Sequence, residues 1–479
     1  MRISYQLSLA LLLVAAAHPL LLAKDVDAKH ARRALDDVFS KSDEKARDKE
    51  IDKLGGDTLD ALAAEEVRSH ALELQRAAPK KLPKLDEAHE GALNYEYEVR
   101  TKKTKYTNFA LIDLPRGVSA DRPMPLVIGL HSALGTAWME LAGIRTCMRS
   151  IAEHPLADCI IACPQALNRG NTAEDPRENG ETGVREYFGW GPKREGIDTV
   201  FNLLDQLIVD YNIDRDRIYL VGGANMGGEA AFHLAQLRPS QFAAICVRDT
   251  LPPCYYPELE PDTDLEALRK AKTLGEQKVV FPWAGCYRNT PVFWVHADGD
   301  DKYPTAHAHQ ARDAMKQAGV PLEYYEYKGF HGSGPTPTIS KAIAACVKTV
   351  RATPVSITAR GVRDDSASLG NNRNYWVEIT KQKYEGKRGD WEYEIFAGGK
   401  VTIEASKAEN SLTITADGVS EITVYLHDGM LYLDREIKLI VNGHERVVSP
   451  TRKLQTLART ASEMRGTGEA YTVKLNVEC

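Results

Sequence analysis

Asn225, Asp300 and His331 occur in the chain order amide, acid, imidazole, each shortly after a β-rich apolar run. An acid that orients an imidazole, which in turn deprotonates an alcohol at the end of a strand, is the arrangement of nucleophilic acyl transfer. Here asparagine stands in the alcohol's place. The stretch Arg217 to Gly228, RIYLVGGANMGG, passes from an apolar strand pattern through glycines into the helix formers Glu229, Ala230, Ala231, Leu234 and Ala235. A strand must therefore turn sharply into a helix. In such an elbow the reactive residue occupies a strained turn, and small neighbours such as Gly223 and Gly227 let helix and strand approach closely. Asparagine tolerates positive φ better than other non-glycine residues. Its amide nitrogen has a delocalised lone pair, and it has no hydroxyl proton for a histidine to remove. The shape of a nucleophile's site is present and the nucleophile is not.

The companions fall at the ends of later runs. HADGDDKYP follows Val292 to Val295 and presents Asp300, with Asp298 and Asp301 as rival acids; KGFHGSG follows Leu322 to Tyr327 and presents His331. Upstream, His131, Ser132 and Ala133 follow the run Pro125 to Leu130. A backbone N–H there would join that of Met226 in an oxyanion hole, with the His131 ring packed beneath the elbow. The segment 168–195 has no periodicity and holds Tyr187, Phe188 and Trp190. It reads as a lid or pocket wall, or as a loop that Trp190 pins to the body. Ser132, Ser333 and Cys286 are the available substitute nucleophiles. Deamidation of Asn225 to a carboxylate is a further route, slowed by the following Met226.

Apolar runs recur at 159–162, 218–221, 242–247, 292–295 and 322–327, with helical patterns at 138–151, 197–211, 228–237, 264–274, 305–318 and 339–350. Runs apolar on both faces, alternating with helices, predict an α/β architecture with a doubly wound, mostly parallel sheet, whose sites lie at the carboxyl ends of strands. The expected divisions are a leader at 1–23, a charged helical segment at 24–90, the α/β unit at 91–352 and a β-rich accessory domain at 353–479. In the second, Leu59, Leu62, Val67, Ala71 and Leu74 form a helical stripe, read as a hairpin or stalk laid on the main domain, or as an interaction arm. In the last, Asn442-Gly443 is a hairpin signal. Trp376, Tyr384, Trp391 and Tyr393 would serve there as a carbohydrate or polymer platform, or as packing.

The motifs VIGLHSALG, RIYLVGGANMGG, VFWVHADGDD and GFHG make residues 125–350 resemble the α/β-hydrolase fold, and within it secreted carboxylesterases and polyhydroxyalkanoate depolymerase-like esterases. The resemblance covers about half the chain and implies Asp300 as acid, His331 as base and the 225 position as nucleophile. The sequence departs from that pattern at Ser132, Ala297 and Asn225.

Composition narrows the partners. A net charge of −6 with the signs interspersed argues against nucleic acid and anionic membrane surfaces. Arg2 followed by an apolar run to Leu22 reads as a secretory signal cleaved near Ala17 or Ala23, which would leave no stable span and put the protein outside the cell, in a periplasm or at the cell surface. The eight cysteines are unevenly spaced for a disulfide scaffold; Cys254 and Cys286 are the best candidates for one bridge, and Cys159 and Cys163 read as buried small hydrophobes. No spacing suggests a metal, and no cofactor is expected. The resulting expectation is a pseudoenzyme that binds a small or polymeric ester or carbohydrate in a pocket of Asn225, Asp300, His331, His131, Ser132, Met226 and Trp190. Two other readings stand beside it: an active carboxylic ester hydrolase with another nucleophile or a deamidated Asn225, and a surface scaffold or adhesion protein.

Overall fold

A computed structural model describes residues 24–41, 43–75, 81–101, 105–133, 135–166, 190, 196–259, 263–361, 372–382, 398–463 and 469–479. The expected leader at 1–23, most of the 168–195 segment, and Tyr384, Trp391 and Tyr393 lie outside the described residues. No described helix is long and apolar enough to cross a membrane.

The first elements are β1 (Lys24–Asp25), α1 (Ala28–Phe39), α2 (Glu44–Asp52), β2 (Asp57–Thr58) and α3 (Ala61–Gln75). Asp27 and Asp43 cap α1 and α2 by accepting from His30 N and Ala46 N, satisfying donors that a helix start leaves open. Ala31, Leu35, Val38, Val67 and Ala71 turn inward.

The central sheet then assembles from β3 (Glu87–His89), β4 (Ala92–Arg100), β5 (Lys105–Asp113), β6 (Met124–Leu130), β7 (Ile160–Pro164), β8 (Ile213–Gly222), β9 (Ala244–Arg248), β10 (Val292–Ala297) and β11 (Leu322–Tyr327). Its spatial order is β11-β10-β9-β8-β6-β7-β5-β4-β3. From β7 to β11 all neighbours run parallel, while β5 is antiparallel to both β4 and β7. Every residue of β6, β7 and β10 is buried, as strands covered on both faces must be. One face is covered by α5 (Gly196–Asp210), α6 (Met226–Leu237) and α8 (Thr305–Gln317); the other by α4 (Ala137–Arg149) and α9 (Thr336–Cys346). With this strand order and helices on both faces, the α/β unit has the α/β-hydrolase fold. The short helix α7 (Leu265–Lys270) occupies only part of the stretch 264–274 expected to be helical.

The C-terminal part is β-rich. A five-stranded sheet orders β12 (Ser356–Arg360), β15 (Lys400–Ser406), β16 (Ser411–Asp417), β18 (Ile437–Val441) and β19 (His444–Val448); a four-stranded one orders β13 (Asn372–Asn374), β14 (Val377–Gln382), β17 (Val419–Leu426) and β20 (Val473–Glu478). Both contribute to one core. Asn442 and Gly443 take φ of 49° and 84° between β18 and β19, the double positive φ of a tight hairpin. Trp376 is fully buried with its indole N–H donated to Pro354 O at 2.8 Å, so it packs rather than forming a platform.

Two expectations need correction. The N-terminal helices do not lie as a hairpin on the α/β unit. Their apolar faces close on the C-terminal helix α10 (Leu454–Glu463), with Arg68 Nε donating to Ala470 O and Gln75 Nε2 to Ala461 O and Glu469 O, each at 2.8 Å. Nor are Cys254 and Cys286 bridged: both are free thiols. Burial pushes each thiol up to about 12.

Arg351 joins the parts. Its guanidinium donates to Asp216 Oδ1 at 2.8 Å, at the base of β8, and to Glu469 Oε1 at 3.0 Å beyond α10. The Arg351 and Glu469 side chains are each 3% exposed. Removing one partner of a buried pair strands the other charge without water. Arg351→Ala is expected to lower unfolding stability by about 3–5 kcal/mol, read as a shift of the urea midpoint; a loss below about 1 kcal/mol would mean that the pair behaves as a surface bridge.

Candidate functional site

The register of the sheet positions the site. Leu130 pairs with Gly222 and Gly222 with Val247, so the loops after β6, β8 and β9 leave the sheet side by side; Ala297 pairs with Tyr327, so those after β10 and β11 do the same. Asn225 sits between β8 and α6 with φ 65° and ψ −117°. That backbone is unfavourable for a residue with a side chain. It is held by close packing: a Cβ on Gly227 would lie 2.1 Å from Leu130 O, and one on Gly223 3.0 Å from Ser132 N. Asn225 N donates to Asp249 O at 3.1 Å. Met226 is buried, and its backbone N–H finds no acceptor among the described residues, as expected at the first turn of a helix.

His331 Nδ1 lies 2.9 Å from Asp300 Oδ2. Asp300 Oδ1 accepts from Lys302 N at 2.9 Å and Tyr303 N at 2.8 Å. Burial pushes the Asp300 carboxyl up, but the His331 bond, the Tyr303 N–H and the nearby imidazoles outweigh it and hold it below its ordinary value. Asp300 is buried while Asp298 and Asp301 are exposed; Asp298 instead accepts from Gly329 N at 3.1 Å. The acid facing the imidazole is thus Asp300. His331 Nε2 makes no hydrogen bond among the described residues.

Asn225 makes no hydrogen bond to His331. Tyr303 lies between them: its hydroxyl is 2.8 Å from Asn225 Oδ1 and 2.6 Å from Glu229 Oε1, and its ring centroid is 5.6 Å from that of His331. One phenolic proton cannot serve two acceptors. Burial raises the Glu229 carboxyl above its ordinary value, and the Tyr303 hydroxyl is placed to donate to either oxygen. Asp249, at the carboxyl end of β9 with φ 41°, stitches the loops together. Its Oδ1 accepts from Ala297 N at 3.0 Å, its Oδ2 from Tyr327 Oη at 2.8 Å and Gly332 N at 3.1 Å.

The sequence reading missed Tyr303, Glu229 and Asp249. Each carried a signal: Glu229 is four residues beyond Asn225 on one helix face, Tyr303 belongs to the same loop as Asp300, and Asp249 ends a buried strand as Asp300 nearly does.

Asp249, His296 and Asp300 place potential ligand atoms within 4.8 Å of one another. All four carboxylate oxygens already accept hydrogen bonds, and His296 Nε2 donates to Tyr303 O at 3.0 Å. The trio is a hydrogen-bond hub, and a cation there would displace the His331 contact.

The other predicted residues surround the oxyanion loop. His131 is buried, with Nδ1 2.9 Å from Ser132 O and Nε2 accepting from Ala166 N at 3.1 Å. Burial lowers its pKa more than the Ser132 bond raises it, consistent with a neutral ring that fixes the loop. Trp190 is buried against it, ring centroids 5.1 Å apart, and donates to His131 O at 3.1 Å, so Trp190 itself is anchored on the oxyanion loop. Of the substitute nucleophiles, Ser333 Oγ is engaged with Phe330 O at 2.6 Å, and the buried Cys286 thiol is pushed up to about 12. Ser132 flanks the elbow through its backbone nitrogen.

No family profile matches the sequence, and neither does any curated protein. Solved structures do resemble it. A thermostable esterase is 20% identical with a TM-score of 0.35, and the alignment covers 54% of this chain and 63% of that one. A ferulic acid esterase is 17% identical, TM-score 0.37, covering 53% and 96%. An S-formylglutathione hydrolase from Staphylococcus aureus is 13% identical, TM-score 0.34, covering 56% and 98%.

The direction of the Glu229 shift fixes a pH dependence. A carboxyl raised in the fold contributes stability that is fully present below its unfolded value of 4.5 and is lost as pH rises through the folded one. Glu229→Gln keeps the hydrogen bond and removes that loss. The melting temperature of the variant relative to the native protein should therefore climb between pH 4 and pH 8; a difference independent of pH would show that Glu229 is ionised in the fold at no cost.

Proposed function

We propose that this chain is a ligand-binding protein on an α/β-hydrolase scaffold that does not carry out serine-type acyl transfer. The carrying observation is Asn225 in the strained elbow, with its side-chain oxygen held by Tyr303 instead of facing a base. The acid and imidazole partners, Asp300 and His331, supply a polar wall, and the unpaired Met226 N–H supplies a donor for a ligand carbonyl oxygen. A small or polymeric ester, or an acylated carbohydrate, has the acceptors such a wall would meet. We assign the protein to the secreted, periplasmic or cell-surface space on the apolar run after Arg2.

The competing reading, an active esterase with another nucleophile, would require Ser132, Ser333 or Cys286 to reach His331; the engagement of Ser333 and the raised thiol of Cys286 speak against two of the three. Restoring the alcohol separates the readings. Asn225→Ser should hydrolyse p-nitrophenyl acetate at least about a hundredfold faster than the native protein, since the nucleophile accounts for most of a triad's rate, and should take up a fluorophosphonate probe that leaves the native protein unlabelled. Labelling of the native chain would overturn the proposal.

A further inference from the structure

We propose that Asn225 is a self-modifying position, at which the Met226 backbone nitrogen closes on the side-chain amide to a succinimide that water opens to aspartate or isoaspartate. This goes beyond the pocket reading, because it concerns chemistry of the native side chain itself.

The backbone angle ψ decides whether the ring can close. A five-membered imide contains the Met226 nitrogen together with the carbonyl carbon, Cα, Cβ and Cγ of Asn225, so the nitrogen and Cβ must come close to eclipsing each other about the Cα–C bond. Since Cβ is set off from the backbone nitrogen by about 120° in an L-residue, that eclipsing falls near ψ of about −120°. Ordinary helical and extended backbones are far from it, and a flexible chain reaches it only by paying the strain at each attempt. Asn225 is held there, at ψ −117°. The packing that enforces the elbow, Gly227 against the Leu130 carbonyl, thereby enforces the geometry of ring closure.

Two further features suit the reaction. The attacking nitrogen belongs to Met226, whose N–H has no acceptor among the described residues, so no hydrogen bond must be broken to expose it. The amide oxygen that gathers negative charge as the nitrogen adds to Cγ is Oδ1, and the Tyr303 hydroxyl donates to it at 2.8 Å with Glu229 2.6 Å behind. A donor already in place at a developing oxyanion needs no reorganisation.

The step balances without any reagent but water. The N–Cγ bond forms as the Cγ–Nδ2 bond breaks, and the proton lost by Met226 N leaves on Nδ2 as ammonia. Water then adds across the imide: hydroxide at Cγ gives aspartate, hydroxide at the α-carbonyl gives isoaspartate, and in either case the proton returns to nitrogen. The net change is about one mass unit.

Asn442 provides an internal reference, because it precedes Gly443 in an exposed hairpin turn. The native protein is aged in water enriched in heavy oxygen, once folded and once in urea, and the peptides carrying residues 225 and 442 are followed by mass spectrometry. Label should enter residue 225 at least about threefold faster in the folded chain than in urea, because only the fold holds the reacting atoms together; residue 442 should show no such preference. Tyr303→Phe, with folding checked by circular dichroism, should slow the folded rate about tenfold, the worth of one hydrogen bond, and leave the rate in urea unchanged. A folded rate at or below the rate in urea overturns the proposal, as does an unaltered folded rate in a folded Tyr303→Phe variant. If that variant does not fold, the comparison of the native chain with and without urea decides alone. Because mass and not turnover is read, this outcome is independent of the esterase assay on Asn225→Ser.

Discussion

Everything at the carboxyl edge of the sheet depends on one close approach, the contact of Gly227 in α6 with the carbonyl of Leu130 at the end of β6. Only a residue without Cβ allows it, and once it is made the chain between β8 and α6 has no relaxed path. A conformation such as that of Asn225 costs on the order of 1–3 kcal/mol and persists only because the burial of Met226, Ala230, Ala231 and Leu234 over-determines it. The strained turn is therefore a property of the packing, and it does not require the side chain to be a nucleophile. This explains how the amide occupies the corner without disturbing the neighbouring loops.

The acid and imidazole are maintained by a second, electrostatic constraint. Two carboxyls, Asp249 and Asp300, lie near one imidazole, and their environments separate them: burial raises Asp249, whereas the contact with His331 and the surrounding N–H groups lower Asp300. Asp300 faces His331, while Asp249 ties together the ends of β9, β10 and β11 by accepting hydrogen bonds from Ala297, Tyr327 and Gly332. A pair of carboxyls divided in this way is the pattern by which a site assigns one group to charge and the other to structure.

Much of this was legible in the residues. Continuous apolar runs such as 125–130 and 292–295 mark strands covered on both faces, and because the loops after parallel strands must emerge at one edge, Asn225, Asp300 and His331 could be placed together before any coordinates. What could not be read was the filling between them. Tyr303 bridges Asn225 and Glu229 only because β8 and β10 flank β9 in the sheet, and strand order is a tertiary fact with no local periodicity. The N-terminal helices show the same limit. Their apolar stripe announced a partner, and the partner turned out to be a helix some 400 residues away.

That last arrangement bears on how the molecule comes into being. Leu35, Val38, Val67 and Ala71 leave the ribosome long before Leu454, Leu457, Ala458 and Ala461, which supply the surface that covers them. Throughout translation of the α/β unit and of most of the sandwich, the opening helices are an unfinished half with greasy sides outward, a state in which exposed apolar surface invites self-association or capture by a holdase. Two segments far apart in sequence close on each other like a clasp. Synthesis of residues 454–461 is therefore the step that covers the early helices, and a nascent chain stalled short of residue 454 would be the species that cellular quality control has to handle.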